Sequence, residues 1–399
     1  MLKILLVFVF SLKVTLSIVI PGEINDVSIE NSVNIQNDKE SFIWAVKNGY
    51  LDIVQMLVDN GTDVKTIPDI LNLAAEKKGN VEVVKYLIEQ GAQINNRNYF
   101  GMVPLHIAAE RDDVDTIKVL LRNGADIDAR DLGMSIPLHS AVFFGQKNAV
   151  KILLENGADV NAFEEDHRTC LHEAAIQGFV EIAKLLIEHE ADLDATDKFR
   201  RTSLHYAAKR GNNEIDDEEN YLQIVKLLIE NGAELDLLDR DGSTPLILAV
   251  ANDSEEIAEI LIRSGAKVNA RGIYKRTPSC LHEAVLNSNV KLVRMLIEYG
   301  AYINVRDKDD ATPLHICAGN KGNMEIAELL VENDAKINSR RRDRWSPLHL
   351  AAYHGNLLLV KYLVENGANI NARTKDDEDA WMLAYGKGYT DISNYLRDV

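Results

Sequence analysis

Thr312-Pro313-Leu314-His315 reads as the first turn of a short helix. Thr is a natural N-cap, Pro suits the first helical position, where no N–H is needed, and His then falls at the third position, within reach of the cap. The stretch recurs as Ser346-Pro347-Leu348-His349 and, without its His, as Thr244-Pro245-Leu246-Ile247. Leu-His pairs stand at 105–106, 138–139, 171–172, 204–205, 281–282, 314–315 and 348–349. They take up His106, His139, His172, His205, His282, His315 and His349, seven of the ten histidines, and the first four are 33 residues apart. From His205 to Ile247 is 42 residues, that period plus a nine-residue insertion, after which the register resumes.

A second marker runs in phase, a Gly-Ala pair at 91, 124, 157, 232, 265, 300 and 367. It follows a helical stripe such as Leu222-Gln223-Ile224-Val225-Lys226-Leu227-Leu228-Ile229, and its Gly supplies a left-handed stop. Each unit is therefore two short helices and a turn. One unit cannot bury its own apolar face, so units must stack and share a continuous core. Eleven units are expected, with helices beginning near 41, 69, 103, 136, 169, 202, 244, 279, 312, 346 and 379. The outermost, around Phe42-Ile43-Trp44-Ala45 and Ala380-Trp381-Met382-Leu383, lack the Pro-Leu-His core and read as caps.

Asn156-Gly157-Ala158-Asp159-Val160-Asn161-Ala162, with the Pro-Leu-His turns, closely resembles the ankyrin-repeat family. The resemblance covers about residues 39–399. It implies an all-α solenoid of stacked helix-turn-helix units with short β-turn tips. It also implies a protein partner bound by the tips and by the variable end of each first helix.

The balance of 44 Lys+Arg against 62 Asp+Glu gives −18, a field that repels nucleic-acid backbones and favours a soluble monomer. Three cysteines in 399 residues make no disulfide framework and suit a reducing compartment. The N-terminus points the other way. Met1-Leu2-Lys3 followed by Ile4 to Phe10 has the basic start and apolar middle of a secretory signal, with cleavage expected after Ser17. Residues 1–17 are thus read as a signal, 18–38 as a polar linker and 39–399 as the array, secreted and without stable membrane insertion once the signal is removed. The alternative is a cytoplasmic adaptor whose apolar start is not a cleaved signal. A further alternative is a secreted toxin-related protein, because large spider neurotoxins resemble this plan. Asn60 and Asn252 open glycosylation sequons, which do not decide the compartment.

No enzyme is expected, and no cofactor or metal. The repeat histidines sit one per unit, too far apart to act together. Cys170, Cys280 and Cys317 lie two residues from a repeat His, but residues two apart on a helix face different ways. Metal-ligand spacings and phosphate-binding loops are lacking in the sequence.

What remains is a surface. Helix ends carry Arg111, Phe143, Phe144, Lys209, Arg210 and Tyr353, and tips carry Tyr99, Phe100, Met102, Met134, Lys198, Phe199, Arg200 and Arg201. Aromatic and Arg side chains anchor protein interfaces, so a stripe over the third to sixth units is the expected binding face. The competing reading packs these rings on neighbouring tips as part of the core. A second candidate is Arg340-Arg341-Arg342-Asp343-Arg344-Trp345 beside Tyr353, a local positive patch in an acidic chain that could clamp an acidic peptide or a phosphate group. Within the sixth unit, residues 212–220 read as a solvated acidic insertion.

Overall fold

The computed structural model describes residues 39–209, 218–270, 279–320 and 322–399. The expected signal with Ser17, the linker, Arg210 and most of the acidic insertion lie outside these residues. The described residues form 22 α-helices in eleven consecutive pairs and no strand. They divide into two compact units, one ending at Glu165 and the other spanning Asp166–Val399.

In the first unit the pairs are α1 (Lys39–Asn48) with α2 (Leu51–Asp59), α3 (Ile70–Ala75) with α4 (Val81–Glu89), α5 (Pro104–Glu110) with α6 (Val114–Arg122), and α7 (Pro137–Phe143) with α8 (Lys147–Glu155). The second unit begins with α9 (Cys170–Gln177) and α10 (Val180–Glu188), α11 (Ser203–Ala208) and α12 (Glu218–Glu230), and α13 (Pro245–Ala251) and α14 (Glu255–Arg263). It continues with α15 (Cys280–Leu286) and α16 (Val290–Glu298), α17 (Pro313–Gly319) and α18 (Met324–Glu332), α19 (Pro347–Tyr353) and α20 (Leu357–Glu365), and α21 (Ala380–Gly386) and α22 (Thr390–Asp398). Every first helix starts within two residues of its expected position. One boundary differs: Glu218, Glu219 and Asn220 open α12, so the insertion ends in a helical turn whose carboxylates face a favourable dipole.

Within each unit the first helices pack side by side, α1 on α3, α3 on α5 and α5 on α7, then from α9 through α21. The second helices form a parallel layer, and the core lies between the two layers. Phe42, Leu71, Leu105, Leu138, Leu171 and Leu186 are fully enclosed there. Each such side chain contributes about 2 kcal/mol by leaving water.

The repeat histidines tie this core together twice over. His315 Nδ1 accepts from the Thr312 N–H at 3.1 Å and from the Thr312 hydroxyl at 2.8 Å. Because Nδ1 accepts, the ring proton sits on Nε2, which donates to the carbonyl of Trp345 in the next pair at 3.1 Å. The pattern repeats from His106 to Ser135, His172 to Arg201, His205 to Ser243, His282 to Ala311 and His349 to Ala372. His139 Nδ1 accepts from Ile136 N–H in the same way. In the second pair Asn72 takes the slot and its Nδ2 donates to the Met102 carbonyl at 2.8 Å. Burial is the main force that lowers the pKa of His106, His172, His205, His349 and His315, the last to about 4.

Candidate functional site

The tips are built on one acceptor each. Asn98 Oδ1 takes the N–H groups of Phe100 and Met102, and Asp131 Oδ1 takes those of Gly133 and Ser135. Successive tips are then stitched together: Leu132 N–H donates to the Phe100 carbonyl at 3.1 Å, and Glu165 N–H to that of Gly133 at 3.0 Å. Arginines clamp the seam. Arg97 Nη1 donates to the carbonyls of Gly101 and Arg130, and Arg130 Nη1 to those of Met134 and Phe163.

On this rigid frame the first unit exposes apolar side chains. Tyr99 is 89% exposed, Leu132 75% and Phe100 63%, and Met134, Phe143, Phe144 and Phe163 are also exposed. Tyr99 and Phe100 meet edge to face at 5.5 Å, as do Phe143 and Phe144 at 5.3 Å. These rings touch their sequence neighbours and leave most of their area to water, so they are not core filler. Met102 is half-buried, its N–H and carbonyl both spent within the frame. Arg111 caps α5 at the exposed helix end. Sequence reasoning missed Leu132 and Phe163, although Leu132 lies only two residues before Met134.

The candidates of the second unit are partly spent on internal pairs. Lys198 is held by Asp166, and both Lys198 and Arg201 lie against the Phe199 ring. Arg201 also reaches the buried Asp239 carboxylate at 3.3 Å, and Tyr206 donates to Asp197 at 2.5 Å. Burial, with that acceptor, pushes the Tyr206 phenol up to about 12. Arg200 and Lys209 make no ion pair among the described residues. At the arginine-rich tip, Arg341 is bound by Asp343, and Arg342 lies 3.6 Å from Asp310. The expected four-arginine patch is therefore half neutralised. Trp345 and Tyr353 meet edge to face at 5.3 Å, and Lys387 Nζ sits 4.2 Å above the Tyr353 ring. Lys387 was not foreseen, though it caps the end of α21 as His354 caps that of α19, 33 residues earlier.

Met134, Arg200 and Arg344 have φ of 66°, 60° and 66°, in the slot that Gly101 and Gly242 fill in other tips. A side chain there costs about 1 kcal/mol or more.

Other chemistry is sparse. Burial pushes the Cys280 and Cys317 thiols up to about 12, so both stay protonated at neutral pH. Among the described residues no cluster of His, Cys, Asp and Glu is placed to hold a metal ion, and no helix is long and apolar enough to cross a membrane. A cavity of about 210 Å³ in the first unit is lined by residues including Lys65, Pro68, Asp69 and Asn96.

A family model described as ankyrin repeats in three copies matches residues 42–131, 71–164, 138–217, 218–272, 272–341 and 314–398. The chain belongs to the ankyrin-repeat family. Among curated proteins, an ankyrin repeat protein of fowlpox virus (strain NVSL) is 38% identical over 72 residues, 18% of this chain and 10% of its own length. Protein phosphatase 1 regulatory subunit 27 of Mus musculus is 37% identical over 68 residues, 17% of this chain and 43% of its own length. Alpha-latrotoxin-Lg1a of Latrodectus geometricus is 38% identical over 78 residues, 19% of this chain and 6% of its own length. The chain thus spans less than half of each relative. Ankyrin repeats are generally scaffolds for protein–protein interaction.

Proposed function

We propose that this ankyrin-repeat protein is an exported, non-catalytic scaffold that binds a partner protein through the tip face of its first unit. The observation that carries the reading is the set of exposed Tyr99, Phe100, Leu132 and Met134 on tips already locked to one another by hydrogen bonds. A preformed apolar face loses little entropy on binding, and its aromatic side chains suit the desolvated centre of an interface. Export is supported by the basic start and apolar run of Met1 to Phe10.

A double substitution, Phe100→Asp with Leu132→Asp, tests the face. Both side chains are exposed, so the fold should hold and recovery of the co-purifying partner should collapse. Equal recovery from the variant and the parent chain would sink the reading.

The second reading is an intracellular adaptor, favoured by three buried cysteines outside any disulfide and by the likeness to a phosphatase regulatory subunit. The intact mass and N-terminal sequence of the protein from medium and from lysate separate the two. A chain in the medium beginning near Ile18 supports export, and a full-length chain confined to cytosol supports the adaptor. The toxin-related reading rests on a match to 6% of alpha-latrotoxin-Lg1a and goes no further than shared repeats.

A further inference from the structure

At the C-terminal end of the second unit a cationic and aromatic ladder crosses two repeats. Arg341 lies over the Trp345 ring at 5.8 Å, Trp345 meets Tyr353 at 5.3 Å and 73°, and Lys387 sits over Tyr353 at 4.2 Å. Asp343 fixes the near end, accepting from the Arg341 guanidinium and from the Trp345 N–H at 3.1 Å. Among the described residues Arg340, Arg344 and Lys387 find no carboxylate. All three are exposed, and the Arg344 backbone is left-handed, with φ of 66°.

From this arrangement we infer that the Arg344, Trp345, Tyr353 and Lys387 surface docks a short acidic peptide segment of a partner protein. The inference rests on the chain being a protein-binding scaffold and is independent of the apolar face of the first unit. Three cations that lack a carboxylate partner, Lys387 among them seated over a ring, offer carboxylates both charge and an aromatic surface for the stems that carry them. A cationic ligand is disfavoured because Lys387 already occupies the Tyr353 face. A long polyanion or an anionic membrane would meet the remaining field of a chain at −18, whereas a short segment feels charges within about 8 Å. The patch is also bounded. The next tip, joined through Lys375 N–H to the Asp343 carbonyl at 3.0 Å, carries Asp376, Asp377 and Glu378.

The test uses the full chain and a fluorescein-labelled peptide of alternating Glu and Phe, followed by anisotropy. A Gln and Phe peptide, phosphatidylserine vesicles and single-stranded DNA serve as comparison probes. The Glu peptide should bind at least about tenfold tighter than the Gln peptide and weaken with salt. Arg344→Glu combined with Lys387→Glu should cost at least about tenfold, while Lys387→Arg retains affinity and all variants keep the parent melting curve. Equal binding of both peptides, indifference to the double reversal, absence of peptide binding, or preference for the vesicles or DNA would each overturn the inference. Phe100→Asp with Leu132→Asp should leave peptide affinity unchanged. If partner capture survives that variant while the Glu peptide still binds through Lys387, the reading of the first face fails alone.

Discussion

His205 Nε2 lies 3.2 Å from the carbonyl of Ser243, 38 residues along the chain, whereas His172 reaches Arg201 over 29. The same inter-repeat bond therefore closes across the insertion. His205 also satisfies the N–H and hydroxyl of Thr202. His205→Ala would leave a buried carbonyl and a helix cap unmade, an expected cost of about 2–3 kcal/mol. Urea unfolding measures it, and a loss below about 0.5 kcal/mol would show that the bond is dispensable.

The lowered histidine pKa values make stability depend on pH in one direction. Above the ordinary value of 6.5 the ring is neutral in both folded and unfolded chains, and its contribution is complete. As pH falls below 6.5 the unfolded chain takes the proton first, so stability declines until the folded ring protonates, near pH 4 for His315. That shift corresponds to about 3 kcal/mol from His315 alone, and His106, His172, His205 and His349 act the same way. Urea midpoints should fall between pH 7 and pH 4.5. His315→Asn, using the residue that fills the slot at Asn72, should flatten the slope. A slope unchanged by that substitution would assign the pH dependence to other groups.

Arg200 combines a φ of 60° with an exposed, unpaired side chain. Gly in this slot removes the steric cost, partly offset by a more flexible unfolded chain. Arg200→Gly should raise stability by about 0.5–1 kcal/mol, visible as a higher melting temperature. A decrease would mean that the Arg stem stabilises the tip by packing.

Gly355 has φ +79°, and a Cβ there would come within 2.6 Å of the Tyr389 ring. Gly367 has φ +89° with open space around it. Gly355→Ala should therefore cost clearly more than Gly367→Ala, the latter about 1 kcal/mol from backbone strain alone. Thermal melts of the two variants compare them directly, and equal losses would show that Tyr389 swings aside freely.

The architecture was legible because period, N-cap and glycine stop repeat in phase, as in Thr312-Pro313-Leu314-His315 and Gly157-Ala158. The end of the insertion was not, since Glu218 and Glu219 are as suited to a helix N-terminus as to a loop. The exposed aromatic tips were found by residue type, but their exposure depends on the adjacent tip, 33 residues away. The neutralisation of Arg342 by Asp310 stayed hidden for the same reason. Lys387 escaped notice because the ring it covers, Tyr353, belongs to the preceding repeat.

The most direct test of the scaffold reading places a photo-crosslinking amino acid at Phe100 and, separately, at the exposed Glu155 on α8, in the full chain. Irradiation in the native fluid or lysate should give a discrete protein adduct from position 100 that Leu132→Asp abolishes, and none from position 155. Matching adducts from both positions, or an adduct at 100 that survives Leu132→Asp, would contradict binding through the tip face of the first unit.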